Sequence, residues 1–167
     1  MNVKTFLAVC IALLIFIPAV PAQSAYDSSE EIAIRQLINN LTLNSLWTEE
    51  DIHLMARTVH GEARGENHLG KVAVASVILN RVNSPQFPNT IKEVVYQPRA
   101  FTCVDYGQIN LKPNLAAYLA VSDAILGNDP TNGCLFYMNP EIATSRWMHQ
   151  RASAKPVTVI GNHVFMH

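Results

Sequence analysis

The chain is poor in charge and in cysteine. Lys, Arg, Asp and Glu make up 15% of its 167 residues, with 12 basic against 13 acidic side chains. That near balance excludes a nucleic-acid binder working through bulk positive charge, and 49% hydrophobic residues exclude a disordered tail. The 7 glycines follow no three-residue period, which excludes a collagen-like repeat. No longer repeat or low-complexity segment occurs. The three cysteines contain no C-x-x-C pair, so a zinc-finger site is excluded. H-E-x-x-H, G-x-S-x-G and a phosphate-binding glycine loop are all missing. Neither a metal nor another cofactor is implied.

What is present begins with Lys4 ahead of an uncharged run from Thr5 to Ile17, broken by Pro18 and Pro21 and ending in small residues at Ala19 and Ala22. This is the pattern of a signal peptide over residues 1–22. The run is too short for a comfortable membrane span. The alternative is an uncleaved anchor, the one route by which this chain would touch a membrane. Cys10 lies inside the run instead of at its end, which argues against lipidation. Cleavage leaves Cys103 and Cys134, which form either one disulfide closing a loop of about 30 residues or two buried free thiols.

Residues 23–47 carry Ile32, Ile34, Leu37, Ile38 and Leu41 at roughly helical spacing and read as a leader, either a helix packed on the domain or a mobile arm. Residues 48–167 fit one domain. Thr48 with Asp51 three positions on marks a helix start, and Ile52, Met55, Ala56 and Val59 give that helix an apolar face as far as Glu62. The next helix, from near His68 to Val82, is apolar on nearly all sides and is expected at the centre. A short helix is expected over Thr90–Tyr96, and another from Leu115 to Leu126, capped by Asn114 and stopped by Gly127. Leu135–Met138 reads as a strand, and Val157–Ile160, Gly161-Asn162 and His163–Met166 as a hairpin with a two-residue loop. The fold class is therefore α+β, with helices first and a small antiparallel sheet last.

The densest group of reactive side chains runs from Arg57 through His60, Gly61, Glu62, Arg64 and Gly65 to Glu66. A carboxylate at a helix end facing a buried helix is partly desolvated and suited to acid catalysis, and Glu62 is the better placed of the two. Glycines on either side would let a bulky polymer approach. The competing reading is a surface Glu62 paired with Arg64. Glu66, four residues on, shares a face with Glu62 on a continuous helix, which suits a structural role or a helix-start charge before His68 better than the opposite side of a sugar ring. His60-Gly61-Glu62 matches the first half of a zinc deaminase signature whose second half is missing. His163 and His167 fall on the last strand, where packing and cleft lining are both open.

Taken together, the run 56–66 (Ala56 to Glu66), the run 70–82 (Gly70 to Val82), Phe87-Pro88-Asn89-Thr90-Ile91, Gln97-Pro98 with Phe101, Phe136-Tyr137 with Asn139-Pro140, Thr144-Ser145-Arg146-Trp147 and the closing Gly161-Asn162-His163-Val164-Phe165 resemble the SleB-type cell-wall hydrolases, the family of the spore cortex-lytic enzymes. The resemblance covers about Trp47 to His167. It implies a lysozyme-like α+β domain that acts on peptidoglycan glycan strands, with Glu62 as the acid. It also implies Gln97, Phe101, Tyr137, Asn139, Trp147 and His163 as cleft residues, with Tyr137 and Trp147 either stacking on sugars or packing in the core. A lytic transglycosylase mechanism suits a lone carboxylate. The expected partner is peptidoglycan, with no nucleic acid; the expected state is a monomer, secreted to the periplasm or cell envelope. No peptidoglycan-binding repeat precedes the domain in this sequence, so targeting falls to the leader, a partner or the cleft. The competing functions are a non-catalytic envelope module, a water-using muramidase, and a stem-peptide amidase.

Overall fold

A computed structural model describes residues 22–154 and 157–167. The expected signal peptide lies almost wholly outside the described residues.

Four helices make the body. Helix α1 (Ala22–Asn44) buries Ile38 and Leu41, α2 spans Glu49–Glu62, α3 spans His68–Val82 and α6 spans Leu115–Ile125. Two short helices, α4 (Ile91–Val95) and α5 (Thr102–Asp105), lie between α3 and α6. A last helix, α7 (Arg146–Ala154), precedes the end of the sheet. Strands β1 (Phe136–Met138), β2 (Thr158–Ile160) and β3 (His163–Met166) form an antiparallel sheet in the order β1-β3-β2. The α+β architecture read from the sequence is therefore the one observed.

The centre is α3, packed against α2, α4 and α6, with Val74, Val77 and Ile78 fully enclosed. Each such side chain contributes about 1.5–3 kcal/mol by leaving water. The starts of these helices follow local chemistry. Thr48 and Asp51 exchange bonds as a capping box, while Asn67, Thr90 and Asn114 each accept a bond from the backbone N–H three residues on. Gly127 stands at φ 97 just beyond α6, a conformation side-chained residues avoid. The leader is helical as far as Asn44 and docks on the domain from Glu30 to Leu41. Glu30 Oε1 accepts the Leu115 N–H at 2.7 Å, and Glu31 pairs with Lys112 at 2.6 Å. A carboxylate on the first free N–H of α6 also favours the positive end of that helix.

The expected hairpin forms with Ile160 opposite His163 across Gly161-Asn162. β1 lies on the other side of β3, with Tyr137 opposite Phe165. The sequence reading did not anticipate α5 or α7. Both cysteines are free and buried. Cys103 lies under Gly61 in α5, whereas Cys134 ends the Asp129 turn, its N–H on Thr131 and its carbonyl on Asn80. Of the two alternatives for this pair, the structure holds the free thiols.

Candidate active site

Glu62 is the last residue of α2, half-buried, and its carboxylate meets donors from two other parts of the chain. Oε1 accepts the Cys103 backbone N–H at 2.6 Å and the Thr102 hydroxyl at 3.0 Å, both from the first turn of α5. Oε2 accepts the Tyr137 hydroxyl at 2.8 Å from β1. The reading of Glu62 as a surface residue paired with Arg64 is not what the structure shows. Burial pushes the Tyr137 phenol well above its ordinary value, the Glu62 charge adds to the shift and Arg81 opposes it. Tyr137 is therefore a neutral donor. The Cys103 thiol is also raised well above its ordinary value, first by burial and then by Glu62, which makes it a poor nucleophile.

Close approach of α5 depends on Gly61. A Cβ there would stand 2.5 Å from the Cys103 Cβ, whereas Gly65 faces open space. The bareness of Gly61 thus serves the chain's own packing, contrary to the expectation that both glycines make room for a polymer.

Glu66 has a different surrounding. Its side chain is only 7% exposed. Its oxygens take the Asn162 N–H at 3.2 Å and the Asn162 side-chain amide at 3.0 Å, and its backbone carbonyl takes the buried Lys71 ammonium. A Cβ at Gly161 would collide with Glu66 Oε2, and Gly161 stands at φ 58. Glu66 therefore braces the β2–β3 turn, in line with the structural role read from the sequence.

The expected cleft residues separate. Tyr137 touches Glu62, and His163 meets the Tyr137 ring edge-on at 5.3 Å, with its Nδ1 3.6 Å from Glu66 Oε1. Phe101 is 1% exposed and packs in the core beside Tyr137, so it offers no face to a ligand. Trp147 is 51% exposed but rests on Phe136. Adjacent strand residues point to opposite faces, which puts Trp147 across the sheet from the Tyr137 hydroxyl. Gln97 and Asn139 shape turns: the Gln97 carbonyl accepts the Ala100 N–H, and Asn139 Oδ1 accepts the Glu141 N–H. Among the described residues no group of three His, Cys, Asp or Glu side chains is placed to hold a metal ion.

Sequence reasoning missed Thr102, the Cys103 N–H and Arg81. Backbone donors leave no trace in composition. Arg81 did leave one, as a cation near the end of a helix that is apolar on nearly all sides; it is 6% exposed, and burial pulls its pKa down, with Tyr137 and Glu62 opposing.

Burial also lowers the pKa of His163, with Glu66 and Glu62 opposing, and that of His60, with Arg64 adding to the effect. A histidine depressed on folding binds more protons when unfolded, so its stabilising effect is complete above the ordinary value of about 6.5 and is lost on acidification below it. Melting temperature is expected to fall as pH drops from 7 toward 5. The fall should be shallower in His163→Asn, where the titrating ring is gone; an unchanged slope would show that His163 does not contribute.

Comparison with known proteins gives the chain its family. Residues 65–166 match the family model described as Cell Wall Hydrolase, a match that begins three residues after Glu62. The spore cortex-lytic enzyme of Bacillus cereus is 55% identical over 119 residues, 71% of this chain and 45% of that protein. The cell wall hydrolase CwlJ of Bacillus subtilis is 31% identical over 110 residues, 62% of this chain and 78% of that protein. Among solved structures, the catalytic domain of the germination-specific lytic transglycosylase SleB from Bacillus anthracis superposes with a TM-score of 0.68 at 52% identity, covering 73% of this chain and 98% of that one. The catalytic domain of Bacillus cereus SleB gives 0.66 at 53% identity, covering 72% and 92%. The chain spans less than half the length of the spore cortex-lytic relative from Bacillus cereus. With the family model matched along most of its length and a relative covered over more than two thirds, the chain belongs to the cell wall hydrolase family.

Proposed function

We propose that this protein degrades peptidoglycan by cleaving the β-1,4 bond between N-acetylmuramic acid and N-acetylglucosamine, as a lytic transglycosylase with Glu62 as both acid and base. The observation that carries this reading is one carboxylate gathered by three donors, while the nearest other carboxylate in sequence, Glu66, is committed to a turn. The names of the relatives, spore cortex-lytic enzyme and lytic transglycosylase, support the substrate class.

The donor pattern assigns the proton. Both ordinary acceptor sites of Oε1 are taken, whereas Oε2 receives a single bond, so a proton on Glu62 sits on Oε2. That proton passes to the glycosidic oxygen as the bond from C1 to it breaks. The carboxylate then takes a proton from the muramic acid 6-hydroxyl, whose oxygen bonds to C1 and closes a 1,6-anhydro ring. No water and no enzyme nucleophile enters. Tyr137, a phenol that stays neutral, fixes the orientation of Oε2 through both steps. The substrate places the protein at the cell envelope, after export by residues 1–22 as a signal peptide, and the action needs one copy of the chain.

Mass spectrometry of fragments released from purified sacculi tests this directly. Ends in 1,6-anhydro-muramic acid are expected. Reducing muramic ends would mean hydrolysis by a held water, and binding to sacculi without release would mean a non-catalytic envelope module. Tyr137→Phe is expected to lower the rate of release about tenfold or more with little change in melting temperature, because it removes one donor and no packing. A rate within a factor of two of wild type would remove Tyr137 from the mechanism.

A further inference from the structure

The donors around Glu62 arrive on two separate arms, one running from Phe101 into α5 and the other from Leu135 into β1. The arms meet directly where Phe101 packs beside Tyr137, with ring centres 6.5 Å apart, but α5 is four residues long and β1 three, so each is too short to hold its register alone. Besides Glu62 itself, Arg81 is a side chain from outside the arms that reaches both. Its Nε donates to the Leu135 carbonyl at 2.8 Å, immediately before β1. Its guanidinium lies 4.9 Å from the Phe101 ring centre and 5.8 Å from that of Phe136, with Phe87 at 5.2 Å on a further side. Phe101 is the residue from which α5 starts, so it carries Thr102 and Cys103 with it.

The burial of Arg81 needs a reason. Lys71, the other buried cation of α3, is taken up by the Glu66 carbonyl, whereas Arg81 Nη1 has no hydrogen-bond partner among the described residues. A buried charge with an unsatisfied N–H is costly and is tolerated only where it does something an apolar side chain cannot. Leu or Met at this position would fill the space but could neither bond the Leu135 carbonyl nor attract three aromatic faces. We propose that Arg81 is a positioning residue that clamps the α5 arm to the β1 arm, and so sets Thr102, the Cys103 N–H and Tyr137 on Glu62 together. Its effect on the reaction rests on the function proposed above, whereas the clamp itself is a property of the fold.

The test pairs two readouts on Arg81→Met, which keeps the apolar stem, and Arg81→Lys, which keeps the charge but not the planar fork. Hydrogen exchange in the absence of substrate is expected to accelerate over residues 101–105 and 135–138 in both variants, with α1 and α6 unchanged. Release of fragments from sacculi is expected to lose between about tenfold and a hundredfold in kcat, with KM within about twofold. Combined with Tyr137→Phe, Arg81→Met should cost less than the product of the two single effects, because both act on the same phenol. Exchange that rises evenly over all helices would overturn the proposal in favour of general stability, as would exchange unchanged in either arm. If Arg81→Met does not fold, the same localised exchange in Arg81→Lys decides. A wild type that releases nothing from sacculi would sink the proposed reaction, and the exchange pattern would still judge the clamp.

Discussion

Glu62→Gln is expected to abolish release of fragments from sacculi, a loss of at least about 10²–10⁴-fold, while the protein remains folded. The amide is nearly isosteric with the carboxyl. Its oxygen, set where Oε1 stands, still accepts from Thr102 and the Cys103 N–H, and its nitrogen faces the Tyr137 oxygen, which is able to accept. Stability should therefore change by no more than about 1 kcal/mol. What the amide cannot do is deliver a proton to the glycosidic oxygen and later take one back. The measurement is fragment release alongside thermal unfolding. Retained lysis by a folded Glu62→Gln protein would move the acid elsewhere in the chain.

Gly61→Ala is the second change with a large expected effect, and it acts without touching a reactive atom. The added methyl would lie 2.5 Å from the Cys103 Cβ and 3.3 Å from its Sγ, in a region where both elements are packed. Overpacking of this kind costs about 1–3 kcal/mol. Relief requires α5 to move away from α2, and α5 takes with it both donors to Oε1. A misplacement of about 1 Å is enough to lower the rate roughly a hundredfold. Activity is therefore expected to fall by more than the stability loss explains, measured at a temperature where the variant is fully folded. Cys103→Gly in the same chain removes the opposing Cβ and should restore part of the rate. No restoration would place the effect of Gly61 outside this contact.

The elements that were legible in the sequence are those whose signal is local or periodic. The Thr48–Asp51 box, the all-round apolar character of α3, the Asn114 cap and the Gly161-Asn162 loop each follow from residues adjacent in the chain, and each stands where expected. The helix α7 escaped because it buries none of its residues and so carries no apolar stripe to detect. At four residues, α5 is shorter than the window over which periodicity can be seen. At the site the proposed acid was legible but its setting was not. Glu62 stands out by side-chain type and by its motif, whereas its shortest hydrogen bond comes from a backbone N–H that any residue but proline at position 103 could supply. Phe101 and Trp147, both expected in the cleft, have very different settings that the sequence does not distinguish. Aromatic identity alone does not separate a sugar platform from a core ring: Phe101 is enclosed, whereas Trp147 is half-exposed and rests on Phe136.

The position of Tyr137 has a consequence for when the site comes into being. Its strand has β3 as its partner, and its ring lies against Phe165 and His163, so the phenol is seated by residues 163–166. Glu62 emerges from the ribosome about a hundred residues earlier and has neither its partner phenol nor a sheet to hold one until that stretch is made. Pairing over such a separation is slow, because the loop must close before any contact rewards it. A nascent or truncated chain ending before His163 would therefore carry the acid without its oriented environment. Under the proposed activity, wall cleavage waits until the last strand has folded against β1, wherever in the chain's route that folding takes place.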